Sequence, residues 1–141
     1  MGTPAAPSAV RNVALVGHGG SGKTSLAEAI LFTSGAISRL GSVDQGTATT
    51  DYDPEEVRRK VSIQATLATC RWREHRVNLV DTPGYFDFVG EVVAALRVAD
   101  AALVVVSAPQ GVEVGCEQVW ELADRPFPGG PALPRAVFVN K

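Results

Sequence analysis

The sequence predicts a three-layer α/β fold, in which a mostly parallel sheet with one antiparallel hairpin strand lies between helices. Three observations predict it. The runs VALV (13–16) and AALVVVS (101–107) are apolar without alternation, as strands buried on both faces require. Helical spacing recurs between such runs, which implies parallel strands joined by crossovers. A glycine-rich turn follows the first strand directly and opens the first helix.

Each element follows in order. The first strand, 13–16, ends at glycines, and from Lys23 the spacing places Leu26, Ala29, Ile30 and Phe32 on one helical face, with Gly35 placed to stop the helix. Segment 36–60 is rich in Gly, Ser, Thr and Asp and has no sustained periodicity; loops of that length in compact domains are usually functional or disordered. Strands over 61–72 and 76–80, joined by a polar connection at 73–75, have the spacing of a hairpin. Phe88, Val92, Ala95, Leu96 and Ala99 then mark a helix, 101–107 a buried strand, 114–123 a helix and 136–139 a last buried strand. The Pro/Gly-rich stretch 125–134 is a loop, and residues 1–10 read as a disordered leader.

A chain of 141 residues is long enough for one domain with a core that needs no disulfide. Cys70 and Cys116 stand in no metal-ligand spacing and read as reduced packing residues. The net charge of -2, without a long single-sign run, gives the domain no electrostatic means of holding nucleic acid by itself, and no direct DNA binding is expected. The longest apolar run, 101–106, is too short to cross a bilayer, so no membrane association and a cytoplasmic location are the expectation.

The chemistry is concentrated in two loops. Gly17-His18-Gly19-Gly20-Ser21-Gly22-Lys23-Thr24 matches G-x-x-x-x-G-K-[ST] between a strand and a helix, the phosphate loop of P-loop NTPases. Its glycines let backbone N–H groups turn inward around an anion, and the helix dipole adds positive potential there. Lys23 is expected to reach the β- and γ-phosphates and Thr24 to ligate Mg²⁺, with Ser25 beside them. Asp81-Thr82-Pro83-Gly84-Tyr85 closes a buried strand; Asp81 suits Mg²⁺ through water, and Gly84 lets its N–H meet a γ-phosphate. Asn140-Lys141 stands where a guanine-reading N-K-x-D would begin.

With these motifs in order, the chain resembles the GTP-binding domain of the elongation factor G family. The resemblance runs from Arg11 onward and is carried by RNVALVGHGGSGKTSLAEAILF, ATCRWREHRVNLVDTPGYFDF, EVVAALRVADAALVVV, GVEVGCEQVWELAD and FVNK. It implies that 11–141 is a GTP-binding domain, incomplete at its C-terminal end, of a longer factor that binds GTP/GDP and Mg²⁺ and works on the ribosome. Alternatives are a GTP-dependent ribosome-binding module without useful catalysis, or an ATPase of the same phosphate-loop class.

The departures from the family pattern cluster around the γ-phosphate. The usual A-H-I-D-A-G-K-T becomes GHGGSGKT, without an apolar side chain at Gly19 or an acid at Gly20. The usual R-G-I-T becomes Arg59-Lys60-Val61-Ser62, where Ser62 keeps a hydroxyl for Mg²⁺ or simply opens a strand. Tyr85 replaces the catalytic histidine of D-T-P-G-H. An imidazole can carry positive charge beside a developing phosphate charge, whereas a neutral phenol offers at most one hydrogen bond to a water. The sequence leaves open whether Tyr85 positions that water or packs beside Phe86 and Phe88. Elsewhere, His18 reads as a turn residue, His75 as solvated, and Trp72 and Trp120 as packing anchors. Arg58, Arg59 and Lys60 form a basic cluster that either meets ribosomal RNA or is merely solvated.

Overall fold

A computed structural model of the chain describes residues 6–50, 53–59 and 61–141. The expected single sheet is there, with strands β1 (Val10–Val16), β2 (Thr66–Trp72), β3 (His75–Asp81), β4 (Ala101–Ser107) and β5 (Arg135–Asn140) in the order β2-β3-β1-β4-β5. Every pairing is parallel except β2 with β3, the hairpin strand. The hairpin closes at the Trp72–His75 pair through Arg73 and Glu74, and Arg73 takes a φ of 54°.

Helices α1 (Lys23–Thr33), α2 (Pro54–Arg59), α3 (Val89–Val98) and α4 (Val114–Asp124) complete the order. Alternation along the strands divides the core. Ala14, Val16, Val80, Val104 and Val106 pack with Val92 and Leu96 of α3 and Val119 of α4, while Leu79 and Cys70 pack with Leu31 of α1 on the other face. Both cysteines are buried and free, as expected of packing residues. Strand β1 lies between β3 and β4, so the chain leaves its C-terminal end at the point where strand order reverses. In open α/β sheets this crevice receives ligands.

Several expectations need correction. The strand expected from residue 61 starts at Thr66, because the N–H groups of Ile63 and Gln64 donate to the Glu56 carboxylate and that of Ala65 to Glu91, so they are not available to a ladder. Of the α1 face expected to pack, Ile30 meets the core and Leu26 is half-buried, but Ala29 and Phe32 are exposed. Lys23, Thr24, Ala27, Glu28 and Leu31 are buried instead, because a helix that begins in the phosphate loop must turn Lys23 and Thr24 inward. In this chain β5 pairs with β4, and residues 136–139 are exposed where a buried strand was expected. Trp72 and Trp120 are 55% and 42% exposed and so anchor no core; the Trp120 ring lies under Arg135, 4.3 Å from its centroid.

The aperiodic segment 36–60 contains α2, too short to show a helical period. The end of the expected leader has regular structure, a 3-10 turn at Pro7–Ala9 leading into β1 at Val10. Lys60 lies outside the described residues, while Arg58 and Arg59 both pair with Glu55. His75 is exposed on the hairpin.

Candidate functional site

The phosphate loop, 17–24, joins β1 to α1 at the crevice. Gly17 has a φ of 143°, and a Cβ there would run into the carbonyl oxygen of Val105 in the neighbouring strand, so only glycine lets the chain turn here. His18 is not among the residues lining the cleft; its Nε2 lies 3.4 Å from Glu113 Oε1 before α4, a contact beyond the turn role expected of it. Ser21 is fully buried; its carbonyl accepts from Asn140 Nδ2 at 3.0 Å, and Lys141 Nζ donates to the carbonyl of Gly20 at 2.6 Å. The end of β5 thereby braces the loop.

Lys23 is 6% exposed, and its Nζ donates to the carbonyls of Gly17 and His18 at 3.1 and 3.0 Å. Burial lowers its pKa from 10.5 to about 8, against the opposing attraction of Asp81 and a smaller contribution from Cys116. An ammonium so placed is short of counter-charge. A polyphosphate would supply it.

Next to Lys23 four side-chain oxygens converge. Thr24 Oγ1 donates to Asp81 Oδ2 at 2.7 Å and lies 3.2 Å from Ser62 Oγ, and Thr50 Oγ1 donates to the same Asp81 oxygen at 3.2 Å. The set is of hard oxygens from three hydroxyls and a carboxylate, the donor chemistry that Mg²⁺ prefers. The residues fit that ion. No group of three or more His, Cys, Asp or Glu that could hold another metal occurs among the described residues.

Gly84 closes the second loop against the first. A Cβ on it would collide with Lys23 Nζ and lie 2.6 Å from the Gly19 nitrogen, so the two loops meet backbone to backbone. A cleft of about 580 Å³ opens beside them, lined by Gly19, Gly20, Gly22, Lys23, Thr24 and Ser25 of the phosphate loop, by Ser62, Thr82, Gly84 and Tyr85, by Lys141, and by residues 40–44. Thr82 is buried with its hydroxyl donating to the Leu15 carbonyl, and buried Pro83 faces a smaller cleft between α3 and α4. Tyr85 is 47% exposed and borders both clefts.

The family described as the elongation factor Tu GTP binding domain matches residues 8–141. The chain belongs to that family. Elongation factor G of Pseudothermotoga lettingae is 46% identical to this GTP-binding domain over 134 residues, 95% of the chain and 19% of the relative. The mitochondrial ribosome-releasing factor 2 of Candida dubliniensis is 41% identical over 95% of the chain and 16% of the relative. A crystal structure from Thermus thermophilus superposes with a TM-score of 0.87 at 52% identity, covering 94% of this chain and 19% of that one. The chain thus spans less than a fifth of the length of each.

The structure of this GTP-binding domain brings together most of the residues expected at the site and adds others. Glu28 of α1, fully buried, accepts from the N–H groups of Gly41 at 3.0 Å and of Thr49. Glu56 of α2, 2% exposed, accepts from Asp53, Ile63 and Gln64. Glu28 thus ties the segment with residues 40–44 to α1, and Glu56 ties the chain just after Ser62 to α2. The signal for Glu28 was present in the helical period: positions 23, 24, 27, 28 and 31 form one stripe, and an acid in such a stripe needs a partner.

Proposed function

We propose that the chain is the Mg²⁺-dependent GTP-binding and GTP-hydrolysing domain of an elongation factor G-like translation factor that acts on the ribosome in the cytoplasm, with hydrolysis slowed by Tyr85. The observation that carries the reading is buried Lys23, held by two loop carbonyls beside the Thr24–Ser62–Asp81 oxygens. Lys23 binds β- and γ-phosphate oxygens, and the N–H groups at the start of α1 take the remaining phosphate charge. Mg²⁺ held by Thr24, Ser62 and, through water, Asp81 would neutralise charge on the same oxygens. Gly84 brings its N–H to the γ-phosphate.

In the reaction, water attacks the γ-phosphorus and the bond to the β–γ bridging oxygen breaks, leaving GDP and phosphate. Tyr85 orients the water with one hydrogen bond but adds no positive charge. Positioning and proton-handling groups contribute about 10² to 10⁴ in rate, so turnover falls well below that of a histidine site while binding is kept.

The position of that neutral phenol favours a second reading, a GTP-dependent ribosome-binding module without useful catalysis. Single-turnover hydrolysis with and without ribosomes separates the two. Phosphate release in either condition supports the hydrolase, and none in both removes it. Competition among GTP, GDP and ATP tests the base, equal affinities pointing to the third reading, an ATPase of the same loop class.

A further inference from the structure

We propose that Gly19 is the residue that seats Tyr85. The missing side chain at position 19 leaves the space in which the phenol ring rests on the phosphate loop, and residue 19 thereby controls, through that ring, the reaction at the terminal phosphate. The control of the reaction rests on the hydrolase reading; the seat itself does not.

Two explanations for a glycine at position 19 fail. Gly17, Gly20 and Gly22 take positive φ, whereas Gly19 does not, so the backbone there accepts any residue. Nor is backbone the nearest obstacle to a side chain there. The three nearest atoms to a Cβ built on Gly19 all belong to Tyr85: Cε2 and Cζ at 2.9 Å and Cε1 at 3.1 Å. By contrast, a Cβ on adjacent Gly20 meets nothing within 4 Å.

Those three atoms are the hydroxyl-bearing end of the ring. Gly19, Lys23 and Tyr85 all line the larger cleft, so the ring rests at its rim. Gly84 fixes the approach from the other side, since a Cβ on it would lie 2.7 Å from Gly19 Cα, and the residue after it is Tyr85. Tyr85 also borders the smaller cleft with Phe86, Val92, Val119 and Leu122. A methyl group at position 19 would push the ring off its seat, and a half-exposed side chain can move without unfolding the domain. Gly19 is thus a positioning residue and Tyr85 the group it positions.

The test is a cycle of wild type, Gly19→Ala, Tyr85→Ala and the double variant, assayed by single-turnover GTP hydrolysis on ribosomes. Gly19→Ala is expected to slow release about tenfold, within the range for side chains in contact, and the double variant to be no slower than Tyr85→Ala alone. Losses that multiply would overturn the proposal. Affinity for a non-hydrolysable GTP analogue, measured on the same four proteins, guards against simple loop damage: a loss caused by Gly19→Ala equally with and without Tyr85 would also overturn it. The seat has its own readout in 3-fluorotyrosine ¹⁹F NMR, where the Tyr85 resonance, identified by its loss in Tyr85→Phe, should shift on Gly19→Ala. An unmoved resonance refutes the seat. Absence of phosphate release from every variant refutes the hydrolase reading, and with it the control of the reaction, while the resonance still decides the seat.

Discussion

Raising the pH should weaken nucleotide binding from about pH 8 upward, with Lys23 as the cause. Burial holds the pKa of this amine near 8 in the free protein, and its Nζ reaches only carbonyl oxygens of the loop. Phosphate oxygens would favour the charged form and raise the pKa again. Affinity supplied by the ammonium is therefore complete below about pH 8 and is lost as the pH rises above it, because the free protein must then take up a proton to bind. One pH unit above that point the loss is about tenfold, or about 1.4 kcal/mol. The assay is calorimetric titration with a non-hydrolysable GTP analogue from pH 7 to 9, in buffers of different ionisation enthalpy to count the protons. Lys23→Arg should bind more weakly but lose this inflection, because a guanidinium stays charged. Constant affinity up to pH 9 in the wild type, or the same inflection in Lys23→Arg, would refute the reasoning. The same lowered pKa implies that the nucleotide-free fold gains stability as the pH rises from about 8 towards 10.5, where the unfolded chain holds a proton that the folded chain has released.

Glu28→Ala would leave the N–H groups of Gly41 and Thr49 without their carboxylate, and should cost about 2 to 5 kcal/mol in denaturant unfolding, with faster amide exchange at both positions. Unchanged exchange at Gly41 and Thr49 would mean that Glu28 does not hold the segment. Gly17→Ala places a methyl group against the Val105 carbonyl and should lower the thermal midpoint and abolish nucleotide binding together, whereas Gly20→Ala, with open space around it, should bear mainly the conformational cost of its φ of 77°. Equal effects of the two would contradict the close approach at Gly17. Thr24→Val removes the hydroxyl shared with Asp81 and Ser62 and should make analogue affinity nearly independent of Mg²⁺. A preserved Mg²⁺ dependence would take Thr24 out of the metal set.

Local signals carried most of the fold and the centre of the site. The phosphate loop is continuous in sequence, and its strand and helix follow from apolar runs and spacing, so Gly17 to Thr24 could be placed without knowing the rest. Asp81 and Gly84 could be assigned because β3 runs parallel to β1 and delivers their loop to the same edge. What escaped depends on partners distant in the chain. The stripe 23, 24, 27, 28 and 31 marks Glu28 as an acid in need of a partner without saying that Gly41 and Thr49 supply it, and the start of β2 depends on Glu56 and Glu91 capturing the amides of 63–65. Gly19 and Tyr85 were each conspicuous in the sequence, but their contact became visible only when the two loops were brought together.

The most direct measurement is single-turnover phosphate release from GTP on ribosomes, with wild type beside Tyr85→His. The wild type should release phosphate slowly but in a ribosome-dependent way, and Tyr85→His at least about tenfold faster, since an imidazole restores the charge and proton handling that a phenol lacks. Equal rates in the two proteins would contradict the placement of residue 85 at the chemistry.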